Sequence, residues 1–194
     1  MFSCCNSLEN IDLSSFDTKN VINMKGMFLG CSRFLFNPIT LNLSKFDTRN
    51  VRNMDEMFRS CETLKNIKFS PSFNTINVTS MHEMFDNCVQ LIHLDLSSFD
   101  TRNVVDMYAM FELCDNLETL DLSSFNTKNV TNIYAMFFCC GKLVSLDLSN
   151  FDTSKVIDMG EIFHGCRNLE SLNLSSFSEK NLKEIKECLI LAFV

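Results

Sequence analysis

Several residue types on which catalytic and cofactor sites depend are scarce in this chain. Its 194 residues include no tryptophan, five glycines, two prolines and three histidines. Five glycines form no glycine-rich phosphate loop, and neither a Cys-x-x-Cys pair nor a calcium-loop motif occurs. His82, His93 and His164 have no nucleophile placed beside them in a catalytic motif. We therefore predict a protein that is not an enzyme and that carries no metal or cofactor.

Runs of basic residues and long apolar segments are missing as well. The formal net charge is −7, and lysines and arginines are spread along the chain, which argues against a nucleic acid partner. Apolar runs such as Cys188 to Val194 are too short to cross a bilayer, so we expect no direct membrane insertion. The opening Met1 to Cys5 has neither the basic start nor the apolar middle of a secretion signal.

What the sequence does contain is a repeat. The stretch Leu91 to Cys114 returns almost unchanged at Leu117 to Cys140 and at Leu143 to Cys166, and weaker copies fill the rest. A cysteine closes each copy, with successive gaps of 26, 30, 27, 26, 26 and 26 residues: Cys5, Cys31, Cys61, Cys88, Cys114, Cys140 and Cys166. A unit of this length at a nearly fixed period is typical of a solenoid, in which each repeat packs on its neighbours.

Within one repeat, two periodicities follow each other. Leu94 and Leu96 alternate with polar residues, as in a strand with one buried face. A second group has the offsets of a helical stripe, with Asn103 placed as its N-cap: Val104, Met107, Met110, Phe111 and Cys114. We expect the phenylalanines and methionines of these patterns to form the core. A methionine-rich binding groove is the less favoured alternative.

The repeat also resembles a known family. Leu-x-x-Leu-x-Leu resembles the strand signature of leucine-rich repeats, with Phe99, Phe125 and Phe151 in place of the usual Asn or Cys. The phrase Leu-Asp-Leu-Ser-Ser-Phe-Asp-Thr-x-Asn-Val-x-x-Met and the ending Met-Phe-x-x-Cys resemble the BspA-like leucine-rich repeat surface proteins, in the branch with a mycoplasma-type domain of unknown function. The resemblance covers essentially the whole chain.

Together, the repeat and the resemblance predict an α/β fold. We expect a right-handed leucine-rich-repeat solenoid of about seven 26-residue strand-turn-helix repeats, with a parallel sheet on the concave face and helices on the convex face. Residues 1–194 would form one domain. Because Met1 to Cys5 aligns with Met136 to Cys140, the chain starts within a repeat, and we expect it to be a fragment of a longer array with uncapped ends.

The candidate binding site lies on the predicted concave face. Asp95, Asp121 and Asp147 occupy the same strand position in three successive repeats, at the strand spacing of roughly 5 Å. His93, Thr119 and Ser145 flank them. This strip is either a groove for a protein or glycan ligand, or a weak cation site, or simply a polar sheet face that keeps the protein soluble.

Three other columns recur from repeat to repeat. Basic residues at the turn are expected to neutralise the repeated acids between neighbouring repeats, with a docking ridge as the alternative. Tyr108 and Tyr134 are expected to point outward from the helices and to pack laterally, or to form a small contact patch. The closing cysteines are expected to be buried and free, since neighbouring helices lie roughly 8–10 Å apart. Cys4 and Cys139 would add exposed thiols.

For the function, the family resemblance implies bacterial or protist cell-surface proteins, for some of which adhesion to host or matrix proteins is proposed. We therefore predict a non-enzymatic binding module of an extracellular or surface-attached protein, whose ligand is a protein or glycan on another cell or matrix. Two alternatives stay open. One is a structural spacer that lengthens a surface protein, and the other is an intracellular, cytoplasmic scaffold for protein interactions.

Overall fold

A computed structural model of the protein describes residues 2–5, 11–31 and 39–192, with side chains for all of these except residues 39 and 187–192. In chain order the elements are β1 (Ile39–Leu43), β2 (Leu64–Phe69), β3 (Ser145–Asp147), β4 (Ser171–Asn173) and α1 (Glu179–Ala192). The residues between these elements form turns and single β-bridges that follow the repeat.

The Leu-x-Leu segments of successive repeats pair in parallel. β1 pairs with β2 and β3 pairs with β4, each in the register of the repeat, as in Leu146 opposite Leu172. Single bridges extend the pairing from Asn66 to His93 and from Thr119 to Ser145. We call this set of pairings the first ladder. Its leucines are buried in the central coils and partly buried in the outer ones, as at Leu41 and Leu172, and most residues between them are exposed, which confirms the predicted alternation.

A second ladder joins the coils on another side. Its bridges pair equivalent residues of six successive repeats, always in parallel: Asn23, Asn53, Ser80, Asp106, Asn132 and Asp158. Each repeat is therefore one coil that contacts the next coil along two separate lines of backbone. This arrangement is the solenoid that the repeat predicts.

The prediction of helices on the convex face is wrong. In the segment from Val104 to Cys114 the chain forms consecutive turns, and α1 is the one helix within the described residues. Alternate backbone N–H groups of the segment donate to carbonyl groups of the next coil at 2.8 to 3.0 Å, from Met107, Ala109, Phe111 and Leu113. Of the intervening N–H groups, those of Met110 and Glu112 donate three residues back within the coil, and that of Tyr108 donates to the Asp106 side chain. No N–H is left for the i to i−4 bonds of an α-helix.

The reason for this error is that spacing does not reveal where a backbone N–H points. Ala109 and Leu113 have φ angles of 49° and 57°, in the left-handed region that no α-helix contains. The turns nevertheless bury the same residues as the predicted helical stripe. Asn103 is not an N-cap either, because its side-chain amide donates to the carbonyl oxygen of Ile76 in the preceding coil at 2.7 Å.

Phenylalanine rings form a stack along the core. Equivalent rings of neighbouring coils lie nearly parallel with centroids 5.3 to 5.8 Å apart: Phe2, Phe28, Phe58, Phe85, Phe111, Phe137 and Phe163. The methionines beside them, such as Met107 and Met110, are fully buried. The prediction that these residues form the core is confirmed. They line no groove, so the alternative of a methionine-rich binding surface is wrong.

Buried threonines hold each coil to the next at the corner between the two ladders. The Thr101 hydroxyl donates to the carbonyl oxygen of Asn126 at 3.0 Å and accepts the N–H of the same residue at 2.7 Å. Thr48 and Thr75 make the same pair of bonds to the following coil. The recurrence of threonine at this position is visible in the sequence, but a turn explains it equally well without burial.

The helix α1 follows the last coil and closes its corner. Ile185 of α1 is buried, and Leu182 packs partly against the core. The Asn181 side-chain oxygen accepts the hydroxyl of Thr153 at 2.9 Å, where the other threonines donate to a backbone carbonyl. The Asn181 side chain of α1 thus provides the hydrogen-bond acceptor that the backbone of a further coil would provide.

The closing cysteines from Cys31 to Cys166 are buried and free, as predicted, whereas Cys5 is free but only partly buried. The expected reason was wrong, because hydrogen-bonded coils are about 4.8 Å apart and not the distance between packed helices. Each thiol instead donates to the carbonyl oxygen of the core phenylalanine in the preceding coil, as from Cys114 to Phe85 at 3.3 Å. Burial also raises the pKa of Cys166 to about 12. Cys4 is exposed as predicted, whereas Cys139 is partly buried.

A substitution at Ser60 distinguishes the turns from the predicted helix. Ser60 has a φ angle of 57°, and glycine occupies the equivalent positions Gly30 and Gly165. We expect Ser60→Gly to raise the free energy of unfolding by up to about 1 kcal/mol, because glycine relieves the left-handed strain. In a helix the same change would cost about 0.5 kcal/mol. Urea unfolding measures the difference, with Ser97→Gly as a control expected to lose stability.

Thiol labelling tests the role of the closing cysteines. At pH 8 we expect Cys4 to react first and Cys166 far more slowly, since burial both shields the Cys166 thiol and raises its pKa to about 12. Mass spectrometry of the labelled protein assigns each site. Labelling of the closing cysteines as fast as Cys4 in the folded protein would contradict their burial.

Candidate functional site

The three predicted aspartates close tight turns at the end of each Leu-x-Leu segment. A carboxylate oxygen of Asp95 accepts the backbone N–H of Ser97 at 3.0 Å, and Asp121 and Asp147 accept from the serine two residues on at 2.9 and 2.8 Å. These bonds to the serines lower the pKa of each carboxyl group. All three aspartates are therefore negatively charged at neutral pH, and each stabilises a turn of its own coil.

The same aspartates line two shallow grooves between neighbouring coils. Asp95 and Asp121 border a groove of about 320 Å³ with Ser97 and Ser123. Asp121 and Asp147 border the next groove, of about 250 Å³. The two grooves are related by one repeat. The structure thus brings the three aspartates together along one exposed face, which we call the aspartate face.

The other predicted site residues lie on the aspartate face but do not line the two grooves. His93, Thr119 and Ser145 are exposed and belong to the first ladder, where Thr119 is opposite Ser145 and His93 is opposite Asn66. Each of them lies two residues before one of the aspartates, so both side chains are on the same side of the strand. They extend the polar surface without closing it into a pocket.

The chemistry of the aspartate face is that of a hydrogen-bonding surface with negative charge. No salt bridge within the described part of the chain involves Asp95, Asp121 or Asp147. Among those same residues, no group of three or more His, Cys, Asp and Glu side chains converges well enough to hold a metal ion. The face therefore suits hydroxyl, amide and cationic groups of a ligand.

Basic residues at the corner pair with the acid two residues earlier. Arg49 and Arg102 contact Asp47 and Asp100 at 2.8 Å, and Lys19 contacts Asp17 in the same way at 2.9 Å. This confirms the prediction that these cations neutralise the repeated acids, although the pairs form within a coil and not between coils. Pairs this exposed contribute little to stability.

On the outward side of the second ladder lies a charged network that the sequence did not predict. The Arg59 guanidinium donates to Glu83 at 2.6 Å and contacts Asp86 at 2.9 Å, both in the next coil. His82 lies between Glu83 and Asp106, at 3.5 and 3.3 Å. Apart from the neighbours His82 and Glu83, the paired residues are 24 to 27 positions apart, so their separation by one coil was the signal that the sequence offered.

Burial governs the charge state of Asp86. Its side chain is 9% exposed, and burial raises its pKa to about 6, despite the opposing effect of Arg59. The folded protein therefore binds a proton at Asp86 more tightly than the unfolded chain does. A carboxyl group of this kind destabilises the fold above its folded pKa, and the penalty disappears as the pH falls towards the unfolded value.

Tyr108 and Tyr134 lie beside this network. Their rings are nearly parallel with centroids 5.5 Å apart, and the His82 ring stacks on Tyr108 at 4.7 Å. The predicted lateral packing of the tyrosines is confirmed, although it occurs between turns and not between helices. All three rings remain partly exposed.

Parallel coils joined by two ladders, with one polar strand face, define the chain as a repeat solenoid of the leucine-rich-repeat type. The chain belongs to the family described as "Mycoplasma protein of unknown function, DUF285", whose profile matches residues 1–118 and 63–177. The resemblance to BspA-like leucine-rich repeat proteins is thereby confirmed.

The solved structures that resemble this chain include two described as leucine-rich repeat proteins. The leucine-rich repeat protein TpLRR of T. pallidum is 16% identical with a TM-score of 0.47, covering 78% of this chain and 83% of that one. A leucine-rich repeat protein from Bacteroides ovatus is 17% identical with a TM-score of 0.38, covering 91% and 57%. The comparison with curated proteins gave no match.

Within residues 2–5, 11–31 and 39–192, no helix combines the length and the apolar character that crossing a bilayer requires.

The titration of Asp86 gives a test of the network. Between pH 7.5 and pH 5 we expect the thermal unfolding temperature to rise, because Asp86 gains its proton below about pH 6 only in the folded state. Aspartates with lowered pKa values lose their contribution only at more acidic pH, below their unfolded values near 4.

The matched variant is Asp86→Asn, which keeps an acceptor for Arg59 and removes the titration. Differential scanning calorimetry at both pH values should show a smaller rise in this variant than in the wild type. An equal rise in both proteins would assign the pH dependence to groups other than Asp86.

Proposed function

We propose that the chain is a non-enzymatic binding module of a cell-surface protein, which recognises a protein or glycan ligand through the aspartate face. The observation that carries the proposal is the pair of grooves related by one repeat, with Asp121 common to both. The chain belongs to a repeat family that resembles surface proteins, which supports a location at the cell surface.

Binding on this face would rely on many modest contacts. The grooves are open and shallow, and their lining alternates carboxylates with serine hydroxyls and leucine edges. A ligand gains affinity on such a surface by contacting several coils at once, because each hydrogen bond contributes only about 0.5 to 1.5 kcal/mol. A long ligand that runs across the coils fits this arrangement better than a small molecule.

The alternative function, a structural spacer, also has an observation in its favour. Each aspartate accepts a backbone N–H in its own coil, and Asn42 and Asn173 do the same at the equivalent positions. An acidic or amide residue at this position is therefore useful to the coil without any ligand. Under this alternative, recognition lies in another part of a longer protein.

The asparagines in this column provide a clean substitution. We expect the variant Asp95→Asn, Asp121→Asn and Asp147→Asn to keep its turns and its stability, since asparagine already closes the turn at Asn42. Binding to a glycan array or to immobilised extracellular matrix proteins should weaken about tenfold or more, because three charges that face the ligand are lost.

The matched control removes three charges elsewhere. Asp17, Asp152 and Asp158 also accept a backbone N–H two residues on, and their replacement by asparagine changes the net charge equally. Equal binding by wild type, variant and control to every surface that retains the protein would reject the aspartate face as the binding site and favour the spacer.

A further inference from the structure

A ribbon of aromatic rings follows the outward side of the second ladder. It runs from His82 through Tyr108 to Tyr134, with interplanar angles of 11° and 8°. The ribbon ends over Gly160, where an added Cβ would lie 3.0 Å from the Tyr134 ring. A second stack, of Phe138 on His164 with centroids 5.0 Å apart, lies four residues further along the coils.

The fold does not require aromatic residues in this ribbon. The equivalent positions in other coils hold Lys25, Asp55 and Gly160, and each donates its backbone N–H to the side chain two residues earlier, as Tyr108 does. The turn therefore forms with a lysine, an acid or a glycine. Aromatic side chains that the turn does not need, left partly exposed in neighbouring coils, mark a contact surface.

Carboxylates surround this surface in excess. Glu83 lies 3.5 Å from the His82 ring, which stacks on Tyr108. Partial burial raises the pKa of Tyr108, and the charges of Glu112, Glu83 and Asp86 raise it further. Arg59 is the cation that pairs with Glu83 and Asp86. In the described part of the chain, no salt bridge is formed by Glu112.

Glu112 is therefore a carboxylate without a compensating cation of its own. It occupies the position of Asp86 one coil later, and like charges on adjacent strands repel each other. Burial raises the pKa of Glu112, and Asp86 and Glu83 raise it further, whereas Arg59, which is already paired with those two carboxylates, lowers it. A cation bound at this point would relieve the repulsion as well as form a new ion pair.

We propose that Tyr108, Tyr134 and Glu112 form a docking surface for an arginine-bearing segment of a partner protein. A guanidinium group fits both parts of the surface, because it pairs with a carboxylate through two N–H groups and stacks on an aromatic ring. Arg59 shows the same chemistry within the chain, where it contacts Glu83 and Asp86 in the next coil.

Other occupants fit less well. The described carboxylates do not converge into a metal site, and a local excess of negative charge repels nucleic acids and anionic membranes. This surface lies on the second ladder and the aspartate face lies on the first, so the proposal does not rest on the proposed function.

The tyrosines themselves report on the surface. The chain contains no tryptophan and two tyrosines. Both tyrosines are in the ribbon, so tyrosine emission arises there alone. The probe is the peptide Ac-Gly-Arg-Gly-Arg-Gly-amide, and the control peptide has citrulline in place of arginine. We expect a saturable change in tyrosine emission with the arginine peptide that weakens in about 1 M salt, and none with citrulline.

Variants locate the interaction. Glu112→Gln should weaken the peptide about fivefold or more, whereas Glu118→Gln, an exposed glutamate on the first ladder, and Asp121→Asn should bind as the wild type does. Thermal unfolding checks that each variant is folded, and amide shifts in a nitrogen-15 spectrum map the contact independently.

Three results would overturn the proposal: equal responses to the two peptides, unchanged binding by folded Glu112→Gln, or amide shifts confined to Asp95, Asp121 and Asp147. The last result would support the aspartate face and reject the docking surface. Loss of glycan or matrix binding in the triple aspartate variant, with peptide binding intact, would separate the two sites.

Discussion

Backbone hydrogen bonds between successive coils are the constraint on which the rest of this structure depends. Alternate N–H groups of each turn segment donate to the next coil, as from Phe111 to Met136 at 3.0 Å. At the corner of each coil a side chain adds to this pairing, as where the Thr101 hydroxyl both donates a hydrogen bond to the next coil and accepts one from it. Because the coils are held at strand spacing, equivalent side chains become neighbours, and every column of the sequence becomes a column in space.

The two surfaces follow from this geometry in different ways. On the first ladder a single residue type recurs, and Asp95, Asp121 and Asp147 form a uniform polar strip with grooves between the coils. On the second ladder the columns are varied, so Arg59, His82, Tyr108 and Glu112 meet as an irregular patch of charges and rings. A uniform strip suits an extended ligand, whereas an irregular patch can select a particular side chain.

The core shows why free thiols suit this fold. Cys114 donates its thiol hydrogen to the Phe85 carbonyl oxygen while the phenylalanine rings stack beside it. A cysteine is small enough for the end of the turn segment, and its weak donor satisfies a carbonyl group without the cost of burying a hydroxyl. The raised pKa values keep these thiols protonated and unreactive, so their number carries no information about a disulfide framework.

The sequence by itself determined the repeat, the family, the buried columns and the polar face, because the spacing of apolar residues is preserved whenever one coil stacks on another. Only the tertiary structure decided that the segment after Asn103 forms turns instead of a helix. Both conformations bury Met107, Met110 and Phe111, and they differ in whether the N–H groups bond within the segment or to the next coil. The contacts of Arg59 were equally hidden, since they join residues a whole coil apart.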